Sequence, residues 1–424
     1  MNQLVQGLVA AVALAALSPG SQGASSETVL FNFGLSTNKA VGSLPYSPVI
    51  FDAKGNLYGT TSSGGKYGNG TVFKLTPPTA GGTAWTQTLL YSFNIKANGS
   101  YPTSGLVMDA AGDLYGTTQD GGTYGFGTAF KLTPPNSGTT WTETTIAVFN
   151  GNNGQSPTNA AMILDSKGNL YGTTDGGGAS GQGTVFELTP PGSGSLWAHT
   201  VLCSFKGSNG GNPAARLTFD HSGNLYGTAQ SGGGVNAFGV VFKLTKPAPG
   251  KTTWTESVIA TFTGAGGNGG NPMAGVVFDN AGNLYGTTVY GGGAPNPNLS
   301  GGLGVVYKLA PPTATTHSWT PSILLNLGGS YGENPSSDPV FDKQGNLYIT
   351  TAGGGASNGG TVVKLTRPAS ASGSWTPTLL YSFAYAKGEN PAAGMIFDSK
   401  FSALYGTTCC GGKNEEGVVY KLTP

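Results

Sequence analysis

DSKGNLYGTTDGGGASGQGTVFELTP, residues 165–190, is one copy of a pattern that returns along nearly the whole chain. Its centre, G-N-L-Y-G-T or a close variant, stands at 55–60, 112–117, 168–173, 223–228, 282–287, 345–350 and 402–407. Ahead of each comes an Asp (Asp52, Asp109, Asp165, Asp220, Asp279, Asp342, Asp398), and a Pro usually lies seven residues before that Asp, as Pro102, Pro213 and Pro391 do. A glycine-rich stretch follows each centre, and then G-T-V-F-K-L-T-P or a relative. Self-similarity at one period, here roughly 57 residues, marks a repeat architecture in which each copy is one supersecondary unit.

Each unit breaks into four short strands when period-two alternation and turn residues are the guides. In the second unit the strands are expected at Gly105–Met108, Leu114–Thr118, Thr128–Thr133 and Thr142–Phe149. Asp109-Ala110-Ala111-Gly112 between the first two is a tight turn, because Asp accepts from turn amides and Gly takes the positive φ. Pro134-Pro135 after the third strand ends the ladder, since proline has no N–H to give. Sustained helical periodicity is absent.

Four antiparallel strands taken seven times hide their edges by stacking as blades around an axis. The expected fold is therefore all-β, a seven-bladed propeller, with an open β-solenoid as the other architecture. The ends favour closure. Thr28–Phe33 (TVLFNF) matches fourth strands such as TLLYSF at 88–93, while the last unit stops at Thr423-Pro424 after its third strand. The amino-terminal strand should complete the last blade, giving one domain over residues 27–424. Trp85, Trp141, Trp197, Trp254, Trp319 and Trp375 all precede fourth strands, and only the amino-terminal strand lacks such a Trp.

Charged residues form 9% of the chain, against about 25% in ordinary globular proteins, so neutral polar groups must make most of the surface. With 20 basic and 19 acidic residues, no long-range field draws in nucleic acid or an anionic membrane, and neither is expected as a partner. Residues 1–24 carry an apolar run from Leu8 to Leu17 followed by small residues, and are expected to be a removable export signal, although no Lys or Arg precedes the run. No other stretch is long and apolar enough to cross a membrane. Cys203 lies in an apolar strand and is expected in the core. Cys409 and Cys410 adjoin in a glycine-rich loop, as small residues opening it or, alternatively, as a vicinal disulfide. No C-x-x-C spacing occurs, and no metal or cofactor is expected.

Gly168-Asn169-Leu170-Tyr171-Gly172-Thr173-Thr174, Gly176-Gly177 and Gly183-Thr184-Val185-Phe186, with counterparts in every unit, resemble the GloVer tandem repeats of bacterial surface proteins, grouped in a family called choice-of-anchor. The resemblance covers nearly all of the chain after the leader. It implies export and residence at the surface or outside the cell, and it supplies no reaction and no catalytic residues. Nothing after Leu422 looks like an anchoring segment, so free secretion or retention in the envelope is expected. A monomer is expected.

The seven Asp residues of the repeated turns fall one per unit around a rim, where they cannot converge, and are expected to be structural. Function is expected where copies differ: in the loops between second and third strands, and in those linking one unit's fourth strand to the next unit's first. The first set holds Tyr67, Tyr124, Phe126, Phe238 and Tyr290, aromatics on polar glycine-rich loops that suit stacking on sugar rings. The same tyrosines could instead cover their own loops. A polysaccharide-binding module is the expected function, with a scaffold for a surface protein as the alternative. A hydrolase or lyase would need polar groups near the axis, where only Arg216, Glu333, Asp338 and Glu389 are on offer.

Overall fold

The computed structural model describes residues 25–34, 41–79, 82–158, 160–192, 197–264, 268–293, 302–370 and 373–424. The expected export signal at 1–24 lies outside the described residues. Seven four-stranded antiparallel sheets make a propeller. Blade 1 consists of Ile50–Phe51, Leu57–Thr61, Thr71–Thr76 and Thr86–Ser92, here strands a to d from the axis outward, and the next five blades repeat this order. Blade 7 takes Ile396–Phe397, Leu404–Thr408 and Val418–Thr423 from the carboxy-terminal end and Ser26–Asn32 as its outermost strand. No helix among the described residues is long and apolar enough to cross a membrane.

Strand b is buried along its whole length, because neighbouring blades cover both of its faces, whereas strand d is exposed mainly over its first half. Strand a is two residues long rather than the four expected, Val107–Met108 in blade 2. The residues before it crowd at the axis: a Cβ on Gly105 would lie 3.1 Å from both Pro48 and Ala161 of the flanking blades. Each c–d ladder also slips by one residue at the same place, between Val72 and Phe73 in blade 1, a bulge that sharpens the twist of the outer strand.

The repeated Asp holds the a–b turn. Asp52 Oδ1 accepts the Lys54 and Asn56 N–H groups, both at 2.9 Å, while Oδ2 accepts from Asn56 Nδ2 at 2.6 Å and the Tyr58 hydroxyl at 3.1 Å. Partial burial pushes this carboxyl up, but the Asn56, Lys54 and Tyr58 donors outweigh it and leave the pKa below the ordinary value. The same set recurs around Asp165, Asp220, Asp279 and Asp342.

Three kinds of contact join blade to blade. The first Thr after L-Y-G donates its hydroxyl to a carbonyl of the next blade, Thr60 to Ser104 at 3.1 Å and, across the closure, Thr407 to Ser47 at 2.8 Å. The Trp before strand d packs edge-on against the L-Y-G-T tyrosine of the preceding blade, as Trp141 does on Tyr58 and Trp375 on Tyr285. Tyr348 faces the amino-terminal strand, and its cluster is filled by Val29, Leu380 and Tyr381 with no Trp. The third contact sets a proline ring on a glycine: a Cβ on Gly70 would stand 2.4 Å from Pro102 Cδ.

The second residue of strand d reaches under the loop of the blade before. Glu143 accepts from Asn98 Nδ2 at 2.8 Å, and His199 lies 3.2 Å from Asn153 Nδ2 between the rings of Phe149 and Phe186. Its Nε2 is buried with no hydrogen-bond partner. Burial pulls the His199 pKa down from 6.5 to about 4. As pH falls the unfolded chain is then protonated first, so the contribution of the neutral ring is complete above about pH 6.5 and is lost progressively toward pH 4. Burial raises Glu143 and Glu256, which act in the opposite sense, so the His199 part must be isolated by difference. Gln87 occupies the equivalent position in blade 1, so His199→Gln is the natural substitution. Urea unfolding at pH 7 and pH 4.5 should show the variant gaining about 2 kcal/mol on the parent at the lower pH. Parallel pH dependence in the two proteins would exclude the buried neutral imidazole.

Candidate functional site

The b–c and d–a loops meet on one face. Each d–a loop turns at a residue of positive φ just before the proline, Leu44, Tyr101, Ser156, Asn212, Asn271, Asn334 and Asn390 in order. The N–H of that residue donates to the b–c loop of the preceding blade, as Tyr101 does to the Asn69 carbonyl at 3.0 Å and Leu44 to that of Glu416 at 3.0 Å. Within a blade the two loops pair through a short antiparallel bridge, Ser100 with Asp120 in blade 2 and Gly270 with Tyr290 in blade 5. The variable loops are thus laced into a continuous ring by main-chain bonds, a rigid support for side chains that differ between blades.

All five aromatic candidates stand exposed on this ring: Tyr67 48%, Tyr124 60%, Phe126 38%, Phe238 51% and Tyr290 43%. Tyr67 and Tyr124 occupy the same position in adjacent blades, and the Lys66 ammonium lies 5.1 Å from the Tyr67 ring centre. Phe126 and Phe238 are likewise equivalent. Phe238 lies flat against the next blade at Gly264, where a Cβ would come within 2.8 Å of the ring. Part of the Val289–Gly304 loop, residues 294–301, lies outside the described residues. The d–a loops add aromatics that the sequence reading passed over: Tyr46 38%, Tyr101 42% and Tyr385 50% exposed, beside Ile95. A tyrosine next to the loop proline, as in Tyr46 and Tyr101, is the signal that was present. Of the nine substantially exposed aromatics among the described residues, eight belong to this face, and only Phe401 lies elsewhere, in an a–b turn. Five of the eight (Tyr385, Tyr46, Tyr67, Tyr101, Tyr124) are tyrosines on the contiguous blades 7, 1 and 2.

The axis carries a second feature. Four residues before each repeated Asp stand Pro48, Gly105, Ala161, Arg216, Gly275, Asp338 and Gly394. These positions form the innermost ring, and a cavity of about 260 Å³ opens within it, lined among others by Tyr46, Ala161, Arg216, Met273, Ser336 and Asp338. Five of the seven ring positions offer no polar side chain, and the other two offer opposite charges. Asp338 Oδ1 accepts the Gly275 N–H at 2.6 Å. Burial raises the Asp338 pKa, opposed by the Arg216 charge and by the Gly275 bond. Among the described residues the ion pairs are Lys131–Asp113 and Lys387–Glu27, so Arg216 and Asp338 interact across more than a salt-bridge distance.

The four axial candidates do not converge. Glu333 and Glu389 sit on the loop ring, bridged through their main chains to Gly353 and Cys410, and neither lines the cavity. The physical reason is the positive-φ turn at Asn334 and Asn390: residues before it run along the loop ring, and only those after the proline descend to the axis. The cavity therefore holds one carboxylate and one guanidinium, not a pair of carboxylates. Cys409 and Cys410 carry free thiols. Burial and the neighbouring Cys409 and Cys410 thiols push the Tyr46 hydroxyl, at the cavity rim, up to about 12.

Among solved structures, PorZ, an essential bacterial surface component of the type-IX secretion system of Porphyromonas gingivalis, is similar over 92% of this chain at 14% identity and a TM-score of 0.50. This chain spans about half of that protein, 48%. A candidate 6-phosphogluconolactonase from Bacteroides uniformis is similar over 83% of this chain and 88% of its own, at 14% identity and a TM-score of 0.52. A second such candidate, from Bacteroides fragilis, matches over 85% and 87% at 14% identity and a TM-score of 0.51. At such identities these likenesses speak for the propeller fold alone. No curated protein matches this sequence. The family model described as the Gloeobacter/Verrucomicrobia repeat matches three times, over residues 20–143, 135–298 and 294–424, and the chain belongs to that repeat family.

Proposed function

We propose that this protein is a non-catalytic binding module, exported from the cytoplasm, that holds a neutral polysaccharide across the face formed by its b–c and d–a loops. The observation that carries the proposal is the segregation of exposed aromatics, eight of the nine among the described residues on one face. Flat rings on a rigid polar support stack on the apolar faces of sugars, while Asn, Ser and main-chain groups around them take hydroxyl hydrogen bonds. A chain in which only 9% of residues are charged favours an uncharged ligand over an ionic one. The run of tyrosines over blades 7, 1 and 2 gives several stacking positions in sequence, as an extended chain requires.

The purified protein should bind at least one member of a broad panel of soluble polysaccharides. Tyr67→Ala and Tyr124→Ala should each weaken that binding about tenfold, the equivalent of roughly 1.4 kcal/mol for one stacking ring, with no change in melting temperature. Failure to bind any glycan would reject this ligand class and bring the protein scaffold forward. Binding unaffected by both variants would place the site elsewhere.

A further inference from the structure

We propose that the axial cavity is a binding site for a small hydroxy acid, with Arg216 holding the ligand carboxylate and Asp338 accepting a ligand hydroxyl. The repeat itself supplies the control. At the equivalent position Pro48, Gly105, Ala161, Gly275 and Gly394 build the same ring without charge, so the propeller does not need an ionic group there. Placing a carboxylate in such a setting is costly unless it is paired and fully hydrogen-bonded. Asp338 is neither: Gly275 N–H reaches one oxygen, no other described donor reaches the carboxylate, and Arg216 stays beyond salt-bridge distance. Arg216 is exposed to the cavity, and none of the described acceptors engages its guanidinium. Two opposite charges held apart across a small void, each with bonding capacity unused, suit a molecule that carries an anion at one end and a donor at the other. A guanidinium takes a carboxylate through two parallel bonds, and a carboxylate takes a hydroxyl.

Size narrows the class further. A volume of about 260 Å³ corresponds to a ligand on the order of ten non-hydrogen atoms, judged against about 30 Å³ for each water displaced. Ala161, Ala214, Ala215, Ala392 and Ala393 line the site, and Ser336 adds a hydroxyl, while the buried Ser337 hydroxyl is taken by Thr350. Tyr46 lines the cavity and is also exposed on the aromatic face, so the site opens on that side. This proposal stands independently of polymer binding by the tyrosines.

Isothermal titration of the whole protein with D-glucuronate, D-gluconate and L-lactate, with D-glucose as the uncharged comparison, tests it. At least one of the acids should bind and glucose should not. Arg216→Gln should weaken binding tenfold or more, as the loss of a charge-assisted pair predicts, while leaving the melting temperature unchanged because the side chain is exposed. Asp338→Asn should weaken binding too, and Tyr67→Ala should leave it intact. The proposal is overturned if no acid binds, if glucose binds as well as the acids, or if Arg216→Gln lowers the melting temperature without touching affinity, the mark of a purely structural charge.

Discussion

Replacing Val363 by Phe is expected to destabilise the protein by about 3 kcal/mol or more, even though Phe is the residue that strand c carries at this place in most blades. In blade 1 the Phe73 ring lies directly beneath Gly59 of strand b, its cross-strand partner, and a Cβ on that glycine would stand 2.6 Å from the ring. Gly116 over Phe130, Gly172 over Phe186 and Gly227 over Phe242 repeat this, as do Gly286 over Tyr307 and Gly406 over Tyr420. Blade 6 exchanges the partners: Ile349 stands where the others have Gly, and Val363 where they have an aromatic, each fully buried. The volume moved from one strand to the other. A Phe at 363 with Ile349 in place must overlap it, and overpacking of this kind costs typically 1–3 kcal/mol, more where the backbone cannot move. Ile349→Gly alone leaves a cavity and should cost roughly 2–5 kcal/mol. The double variant restores the arrangement of six other blades and should recover most of the loss, a coupling of about 2 kcal/mol or more in a double-mutant cycle read by chemical unfolding. Simple additivity of the two losses would refute the exchange.

That exchange was present in the sequence as L-Y-I-T-T opposite T-V-V-K-L-T, yet only the register shows that the two departures compensate each other. Most of the propeller was legible because each unit states its turns twice, once by chemistry and once by recurrence. Asp52 with Gly55 gives the a–b turn, and the match of 28–33 to 88–93 gives the closure. The bulge in strand d was not legible: Leu89-Leu90-Tyr91 is a continuous apolar run, and period-two reasoning cannot tell which residue is skipped. At the axis the sequence offered four charged residues in the segments that lead into the innermost strands of three units, and no means of sorting them. The backbone reversal at Asn334 and Asn390 does the sorting, sending Glu333 and Glu389 to the loop ring and Asp338 inward. The aromatic loops were found where they interrupt the glycine-rich stretch, as Tyr67 and Tyr124 do. They were missed where, like Tyr101, they stand beside a repeated proline and look like part of the frame.

Gly417→Ala is expected to open the ring. Gly417 has φ +89°, and a Cβ there would lie 2.4 Å from the Thr408 carbonyl oxygen and 2.7 Å from Pro45 Cδ. An L-residue at such a φ costs about 1–2 kcal/mol, and the contacts with rigid backbone and a proline ring add a comparable amount, so a loss of about 3 kcal/mol is expected. Gly239→Ala makes the matching contacts at an internal junction, 2.5 Å from Pro272 Cδ and 2.6 Å from the Ala229 carbonyl oxygen, and should lose a similar amount locally. The consequences differ because covalent continuity differs. Blades 4 and 5 remain joined by the chain through 255–278, but the link from blade 1 into blade 7 runs through strand Ser26–Asn32, which is only hydrogen-bonded to Val418–Thr423. The Thr407–Ser47 and Leu44–Glu416 bonds, the proline-on-glycine contact and the packing of Phe51 and Trp85 in the Tyr405 cluster hold the rest of the seam. The seam between blades 6 and 7, where the same strand faces Tyr348, is the one that lacks a Trp. Hydrogen exchange should therefore rise across Ser26–Asn32 and Val418–Thr423 in Gly417→Ala, well ahead of the remaining blades, and should not do so in Gly239→Ala. Equal, uniform exchange in the two variants would mean that the ring unfolds as one unit and that the closing strand is no weaker than any other junction.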